Sequence, residues 1–287
     1  MIAAEKTSFP VAVMCRVLGV NRTAFHNWER RAPSDRALGD AWLTEQIKRI
    51  HDESRGVYGA PRIHAELRME HGIRVGHKRV GRLMKAAGIS GIRPRKRYKT
   101  TIRIPGITPA VDLVERQFRP DRPNVLWVAD ITYLRTGEGW LYLAAVQDAY
   151  SRQIVGWSMA THTRASLVVD ALKMALARRR PDPGLIHHSD QGSQYVSLAF
   201  GRAAGDAGIA VSMGSRGDAY DNAVAETFFA TLKKELVNRR TWPVRLELQS
   251  AVFEYIEAFY NRQRRHSTLG MLSPIAYEQQ RLSPLGS

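Results

Sequence analysis

The sequence predicts an α/β domain, in which helices flank a mixed five-stranded sheet, preceded by an all-helical region. Residues 125–135, 140–148 and 153–160 are rich in strand-forming residues and are joined by short turns, which indicates a meander. Helix-like and strand-like segments then alternate over residues 166–213, as is typical of α/β sheets. Residues 1–92, in contrast, show the spacing of short helices.

The elements after the meander follow from the same spacing rules. They are a helix over residues 166–179, a strand over 185–189, a helix over 197–207, a strand over 209–213, and helices over 222–237 and 245–265. We therefore divide the chain into a helical region at 1–92, a basic, proline-containing linker at 93–124 and a core with C-terminal helices at 125–280.

The net charge of +16 is concentrated in the first part of the chain. Residues 1–120 hold 24 Lys and Arg against 11 Asp and Glu, a net charge of +13, which leaves only +3 for the rest. This asymmetry favours a nucleic-acid-binding front half. An anionic membrane is the competing partner, but no segment pairs a basic face with a continuous apolar face.

Two helix-turn-helix-like units are predicted in the front region. In the first, Gly19 separates two short helices and Asn21 caps the second one. The side chains expected to face inward there are Ala12, Cys15, Leu18, Phe25 and Trp28. Ordinary helical hairpins have the same appearance, so the first unit alone decides nothing.

The second unit comprises a helix over residues 62–70, with Ile63 and Leu67 inward, and a basic helix over residues 77–87. Val80, Leu83 and Met84 of the basic helix should face inward. Its outward residues are His77, Lys78, Arg79, Arg82 and Lys85, and a run with Arg93, Arg95, Lys96 and Arg97 follows. A solvated basic face is the alternative, but DNA phosphates explain this concentration of cations better.

Cysteine content and hydropathy limit the class of protein. Cys15 is the single cysteine, which excludes intrachain disulfides and zinc fingers with two thiolates. We expect it to be a small buried apolar residue. No apolar run reaches membrane-spanning length and the N-terminus lacks the apolar region of a signal peptide, so we expect a soluble protein of the cytosol or nucleoid.

Three acidic residues form the candidate site. Asp130 lies in a run of strand-formers, Asp190 ends a short apolar strand, and Glu226 lies in the early turns of a helix. A carboxylate in an apolar strand is costly to bury unless a cation or donors balance it. Two aspartates on strands and a glutamate on a helix suit a divalent-metal site for phosphodiester chemistry.

Lys233 lies seven residues after Glu226, and therefore on the same helix face. It is a candidate for gripping a DNA phosphate, with a solvated surface lysine as the alternative. Residues 214–217 are rich in glycine and serine, which suits either a mobile loop before the helix or a plain connector.

Several nearby residues are weaker candidates for the metal site. Asp221 or Asn222 is expected to cap the helix, and Asp148 to satisfy a turn. Asp218 is a third acid without a clear role. For His187 and His188, packing or capping is favoured over orienting a ligand.

The motifs resemble those of one protein family. Residues 127–133, 188–195 and 220–226 are similar to the three acid motifs of OrfB-type transposases of bacterial insertion-sequence family three. Residues 260–274 resemble the C-terminal signature of that family, and residues 58–64 resemble its helix-turn-helix region.

The resemblance implies an RNase H-like core related to retroviral integrases, with Asp130, Asp190 and Glu226 as catalytic and metal-binding residues. It also implies Mg²⁺, with Mn²⁺ as a substitute, and strand cleavage and transfer between element ends and target double-stranded DNA by an oligomer. A single cysteine cannot form the zinc module of retroviral integrases. An upstream leucine-zipper partner, joined by frameshift fusion, is a further implication, and this chain shows no heptad run of its own.

Two other functions remain open. One is a sequence-specific DNA-binding regulator with an inactive core, and the other is an RNase H-like nuclease without strand transfer. Metal-dependent cleavage of an end-sequence oligonucleotide separates an enzyme from the regulator, and joined products separate the transposase from the nuclease.

Overall fold

A computed structural model describes residues 1–92, 112–114, 117–214 and 223–282. The chain divides into two compact units, residues 1–90 and residues 91–287. Within the described residues, no helix is both long and apolar enough to cross a membrane.

The first unit is built from short helices, as predicted. They are α1 (Ile2–Glu5), α2 (Val11–Val17), α3 (Arg22–Arg30), α4 (Asp35–Glu53), α5 (Ala60–Met69) and α6 (His77–Ala86). The side chain of Asn21 accepts a hydrogen bond from the Ala24 N–H at 3.1 Å, which confirms its role as the cap of α3. Sequence reasoning left α4 unassigned, although it is the longest of the six.

Three of these helices share a core. Ile47 and Ile50 of α4 are buried together with the apolar faces of α5 and α6. The predicted inward positions on α5 and α6 are confirmed, namely Ile63, Leu67, Val80, Leu83 and Met84. The cations of α6 consequently face outward, because the apolar stripe occupies the opposite side of the helix.

The predicted inward faces of α2 and α3 are partly wrong. Cys15 and Phe25 are buried in a small cluster with Ile2, but Ala12 and Leu18 are exposed and Trp28 is 64% exposed. Helix α2 ends at Val17 after two turns, so only Val11, Met14 and Cys15 of this helix pack in the cluster. Spacing alone could not reveal that nothing in the described part of the chain covers the remaining apolar residues.

The second unit contains the predicted mixed sheet. Its strands are β1 (Leu126–Thr136), β2 (Gly139–Asp148), β3 (Ile154–Ala160), β4 (Ile186–Ser189) and β5 (Ala210–Met213). Their spatial order is β3-β2-β1-β4-β5, with β1, β2 and β3 antiparallel and β4 parallel to both β1 and β5. This arrangement confirms the meander followed by two crossover strands.

The two faces of β1 pack against different helices. Trp127 and Ala129 face the core formed with α7 (Ala165–Arg179) and α8 (Leu198–Asp206). Leu126 and Val128 face the opposite side and pack against Val224, near the start of α9 (Ala223–Glu235). This alternation follows from the two-residue period of a strand.

The contact between β3 and α7 is unusually close at Gly156. A Cβ atom at this position would lie 2.2 Å from the Ala171 carbonyl oxygen and 2.7 Å from the Ala175 backbone nitrogen. A side chain is therefore excluded, and the glycine lets the helix approach the backbone of the sheet.

The C-terminal helices differ from the single helix predicted over residues 245–265. Helix α10 (Arg245–Glu254) continues into a π-helical segment, Tyr255–Tyr260, in which the Asn261 N–H donates to the Ile256 carbonyl. The Asn261 side chain then bonds both backbone groups of Ile154 at 2.9 Å, so the chain leaves the helix to tie down β3. A further helix, α11 (Pro274–Leu282), was not predicted.

The described end of the predicted linker packs against the core. Val114 is buried with Leu126 and Val128, and the Leu113 N–H donates to the Ser212 hydroxyl at 2.9 Å. Phe118 contacts the ring of His188. Apolar residues within a proline-rich, non-periodic stretch gave little sign of this packing.

Candidate active site

Strand pairing brings Asp130 and Asp190 side by side. Strands β1 and β4 are parallel, and the last paired residues are Ala129 and Ser189. The two aspartates are the next residue on each chain, so they leave the paired region at the same level. Both have the strand parity of Leu126 and Val128, which is the side of the sheet covered by α9.

Helix α9 supplies the third acid. Val224 and Ala225 anchor its first turn on β1, while Glu226 is exposed. An apolar contact thus fixes the start of the helix next to the strand that carries Asp130, and the glutamate is left at the solvent side.

Asp130 interacts electrostatically with the other two acids. Burial, as the largest cause, together with the negative charges of Asp190 and Glu226, raises the pKa of Asp130 to about 7. The Ile131 N–H, which donates to Asp130 Oδ1 at 2.7 Å, and the ammonium of Lys233 act in the opposite direction. The other three groups named from the sequence, Asp190, Glu226 and Lys233, therefore lie within electrostatic reach of Asp130.

The turn after β4 holds Asp190. The Gly192 N–H donates to Asp190 Oδ1 at 3.0 Å, which lowers the pKa of this aspartate, while partial burial of the carboxyl group has the larger effect and raises it. A Cβ on Gly192 would lie 2.9 Å from that same oxygen, so a side chain at this position would displace the Asp190 carboxylate. The Gln191 amide donates to the Gly214 carbonyl at 2.9 Å.

Known protein families and individual relatives are similar in sequence to this chain over most of its length. The integrase core domain family matches residues 120–219 and 226–282, and an HTH-like domain family matches residues 38–97. An uncharacterised 31 kDa protein of insertion element IS600 from Shigella sonnei is 43% identical over 266 residues, covering 93% of this chain and 97% of that protein. The transposase of insertion sequence element IS629 from Shigella sonnei is 38% identical over 287 residues, covering 98% and 96%.

A third relative, transposase InsF for insertion sequence IS3A of Escherichia coli (strain K12), is 38% identical over 284 residues and 98% of each chain. The chain belongs to the OrfB-type transposases of bacterial insertion-sequence family three. It is a DNA transposase with an integrase-type core, of the polynucleotidyl transferase class. Among solved structures, the HTLV-2 integrase catalytic core domain in complex with magnesium is 16% identical, with a TM-score of 0.43 over 56% of this chain and 99% of that chain.

The donor set of the transposase suits a hard divalent cation. Three carboxylates offer only oxygen ligands, which Mg²⁺ and Mn²⁺ prefer, and a cation would offset the repulsion that raises the pKa of Asp130. Within the residues that the structure describes, no three Asp, Glu, His or Cys side chains already converge closely enough to chelate an ion. The residues fit a metal by the chemistry of their oxygen donors.

Tyr195 is a neighbour of the acids to which sequence reasoning gave no role. Its side chain is 3% exposed, and its hydroxyl has no hydrogen-bond partner among the described residues. Burial raises the pKa of Tyr195 well above its ordinary value, and the charges of Asp130 and Asp190 raise it further. The phenol is thus a proton donor next to two carboxylates. The only signal was its place in motif 188–195.

The weaker candidates have structural roles where they are described. Asp148 accepts hydrogen bonds from the Asn124 and Tyr150 N–H groups at 2.8 and 2.9 Å, as expected for a turn. His187 is buried between Tyr195 and Phe200. His188 contacts the Ser212 hydroxyl at 3.0 Å. Asp218, Asp221, Asn222 and loop residues 215–217 lie outside the described residues.

In the first unit of the transposase, part of the basic face of α6 lines a cleft. The cleft has a volume of about 400 Å³ and is lined by Arg36, Lys78, Arg79 and Arg82. Asp40 on α4 accepts from Arg79 Nε at 2.7 Å and from Arg82 Nη2 at 2.9 Å. The hydrogen bond from Arg79 is the main cause that lowers the pKa of Asp40.

The other predicted DNA contacts are more scattered. His77 packs edge-on against the ring of His64, and Lys85 is exposed. Neither residue lines the cleft. Arg93, Arg95, Lys96 and Arg97 lie outside the described residues.

Proposed function

We propose that Asp130, Asp190 and Glu226 are the catalytic carboxylates of this transposase, which hold Mg²⁺, or Mn²⁺ in its place, at the ends of an insertion sequence. The observation that carries the proposal is the parallel pairing of β1 with β4, which leaves Asp130 and Asp190 side by side next to the start of the helix that carries Glu226. Their placement on two adjacent strands and a packed helix gives them rigid supports.

The proposed reaction has two steps. In the first, a water oxygen bonds to the phosphorus at the element end and the bond to the 3′ oxygen breaks, which leaves a 3′-hydroxyl. In the second, the oxygen of that hydroxyl bonds to the phosphorus of a target phosphodiester. The bond from this phosphorus to the target 3′ oxygen breaks, and the target strand leaves with a 3′-hydroxyl. Bound divalent ions would supply activation of the attacking oxygen and charge neutralisation at the leaving oxygen.

The protein side chains have separate tasks in this scheme. The three carboxylates fix the reaction site, and no covalent protein intermediate is needed. Lys233 is proposed to bind a DNA phosphate beside the acids, supported by its electrostatic effect on Asp130 and by its position on the same helix as Glu226. The buried hydroxyl of Tyr195, which has no hydrogen-bond partner among the described residues, is proposed to orient one of the aspartates in the active complex by donating a hydrogen bond to it.

DNA anchoring is assigned to the first unit and the basic run that follows it. Within the cleft of the first unit, the cations of Arg36, Lys78, Arg79 and Arg82 suit a phosphate of the DNA backbone. The remaining proposed DNA contacts are His77, Lys85, Arg93, Arg95, Lys96 and Arg97. Phosphate contacts of this kind position a duplex without reading its sequence.

The partners proposed for the transposase are double-stranded DNA at the element ends and at the target, and further copies of the chain. Joining two ends in one event requires at least two active sites, which supports an oligomer on DNA. A frameshift fusion with an upstream partner is proposed on the family resemblance alone. Because the substrate is bacterial DNA, the proposed site of action is the cytoplasm and its nucleoid.

Strand transfer by single-residue variants tests the proposal. Asp130→Asn, Asp190→Asn and Glu226→Gln should each lower cleavage and joining of an end-sequence oligonucleotide by at least about a thousandfold, because each removes a ligand charge. DNA binding should be retained. Asp170→Asn, an exposed acid on α7, is the matched control and should have wild-type activity.

The outcomes also separate the two alternatives. Normal joining by Glu226→Gln would overturn the assignment. Tight specific binding without cleavage by the wild-type chain would favour the regulator, and cleavage without joined products would favour the nuclease.

A further inference from the structure

Strand β1 extends beyond its parallel neighbour. It pairs with β4 only over residues 126–129 but pairs with β2 as far as Thr136. The part of the β1–β2 hairpin after Asp130 therefore projects past the catalytic edge of the sheet. Two large aromatic rings are exposed on it, Tyr133 at 57% and Trp140 at 46%.

The two rings touch each other rather than the core. Their centroids are 5.2 Å apart with an interplanar angle of 86°, an edge-to-face contact. Aromatic residues contribute most of their stabilising free energy when buried, so two exposed rings at the same place indicate a binding surface more than a folding requirement.

Cations surround this aromatic pair. The Lys233 ammonium lies 4.8 Å from the centroid of the Tyr133 ring. Arg135 is exposed and is the cross-strand neighbour of Trp140. Arg245 donates to the Trp140 carbonyl at 3.2 Å and to the carbonyl of Glu138, and its own N–H donates to the Glu138 carboxylate.

The distance from the acids matches the length of a few nucleotides. Tyr133 follows Asp130 by three strand residues, which is roughly 10 Å at about 3.3 Å per residue, and its ring lies on the opposite face of β1 from the Asp130 carboxylate. Lys233 of α9, the helix that covers the Asp130 face, nevertheless lies 4.8 Å from the Tyr133 ring, so this ring is within reach of groups on the side of the acids. Stacked nucleotides advance by about 3.4 Å along a strand. Bases about two or three positions from the reacting phosphate would therefore reach the rings.

We propose that Tyr133 and Trp140 form an aromatic step on which unpaired bases stack next to the reacting phosphate. The inference rests on the proposed function and adds a ligand class, single-stranded DNA at the opened end. Aromatic rings beside cations are the combination that binds single strands without sequence preference, because every base has a π-face and every nucleotide has a phosphate. Bases inside an intact duplex do not expose those faces.

A protein partner fits this surface less well. A stable protein interface buries about 800 Å² per partner around an apolar centre. Here two rings stand among Arg135, Lys233, Glu138 and Arg245, which are charged residues. The remaining alternative is that a second copy of the chain binds to the two rings, and the experiment must exclude it.

The test measures stacking directly and without catalysis. Four end-sequence duplexes are prepared, each with an unpaired single-stranded tail and with 2-aminopurine at one of the first four positions beside the cut. Each duplex is mixed with the full chain in the absence of divalent metal. Stacking should quench the probe most strongly at the second or third position. Trp140→Ala and Tyr133→Ala should abolish that quenching and weaken tail binding at least about fivefold, while Trp140→Phe retains most of both.

Controls separate this proposal from the proposed function. Phe253→Ala removes an equally exposed aromatic on α10 and should quench like wild type. Since no metal is present, the result does not depend on whether the three acids are catalytic. Wild-type quenching in both alanine variants would overturn the aromatic step. If the alanine variants quench like wild type but differ from it in oligomeric state, as measured by light scattering, the rings belong to a protein interface instead.

Discussion

At the scale of single residues, the site combines groups that the sequence identifies with groups that only folding reveals. Asp130, Asp190 and Glu226 were identified because each stands in an unusual local context, an apolar strand, a tight turn or an amphipathic helix. Tyr195 was not, because its role depends on which acids lie beside it after strands β1 and β4 pair. A tyrosine five residues after an aspartate carries no such information in one dimension.

Gly192 gives a first prediction at this scale. Gly192→Ala should lower strand-transfer activity at least about tenfold with little loss of folding, because its Cβ would lie 2.9 Å from Asp190 Oδ1 and displace that carboxylate. Gly201→Ala is the matched control. Gly201 lies in α8, where an added Cβ would meet no heavy atom within 4 Å, so this variant should gain about 0.5–1 kcal/mol of stability with full activity. Equal activity of the two variants would show that the turn at Asp190 tolerates displacement.

His187 gives a second prediction, on stability against pH. Burial lowers the pKa of His187 to about 4, whereas an unfolded histidine titrates near 6.5. Between about pH 4 and 6.5, His187 binds a proton in the unfolded chain but not in the folded chain. The neutral, buried imidazole therefore costs no stability above about pH 6.5, and the free energy of unfolding falls as the pH drops from 6.5 to 4. The loss is on the order of 3 kcal/mol.

His187→Leu should therefore flatten the fall in the free energy of unfolding between pH 6.5 and pH 4, as measured by urea denaturation at several pH values. A variant whose pH profile parallels that of the wild type would mean that the imidazole is already protonated in the folded protein, or is solvated there.

At the scale of elements, both ends of every strand were predicted to within one residue, because each strand is an apolar run bounded by turn residues. Helix α4 was missed because its apolar residues do not form one stripe. Leu38 and Trp42 are exposed, while Leu43, Ile47 and Ile50 are buried. The break at residue 255 was equally hidden, since a π-helical segment preserves the composition of a helix and changes only its hydrogen-bond partners.

The contact between α4 and α6 gives a prediction at this scale. Asp40→Asn should release Arg79 and Arg82 from their ion pairs and steepen the dependence of log K on log salt by about one for each cation freed. Discrimination of the end sequence from random DNA should change little, because contacts to phosphates do not read bases. Fluorescence anisotropy over a series of salt concentrations measures both quantities.

The matched control is Glu45→Gln, which also removes one negative charge from α4. Among the described residues, Glu45 forms an ion pair with the exposed Lys48 alone. If the two variants change the salt dependence equally, Asp40 acts through net charge alone and does not position the arginines.

At the scale of the whole molecule, charge and fold are divided between two units. The excess of Lys and Arg over residues 1–120 predicted that the front half contacts DNA, and the HTH-like match over residues 38–97 agrees. The near-neutral remainder carries the integrase core. The uneven distribution of charge can be read from the composition of the two parts of the chain. The ion pairs of Asp40 with Arg79 and Arg82 cannot, because they join residues 39 and 42 positions apart and are seen only in the structure.

The proposed metal-binding site is formed by three acids from separate segments of the chain. Its sharpest test is the affinity of the full chain for metal when it is bound to an end-sequence duplex. Mn²⁺ titrations followed by electron paramagnetic resonance should give the same affinity for the wild type and for Asp170→Asn. Asp130→Asn, Asp190→Asn and Glu226→Gln should each bind at least about tenfold more weakly, with circular dichroism confirming that they fold. Wild-type affinity in any one of those three variants would contradict the account.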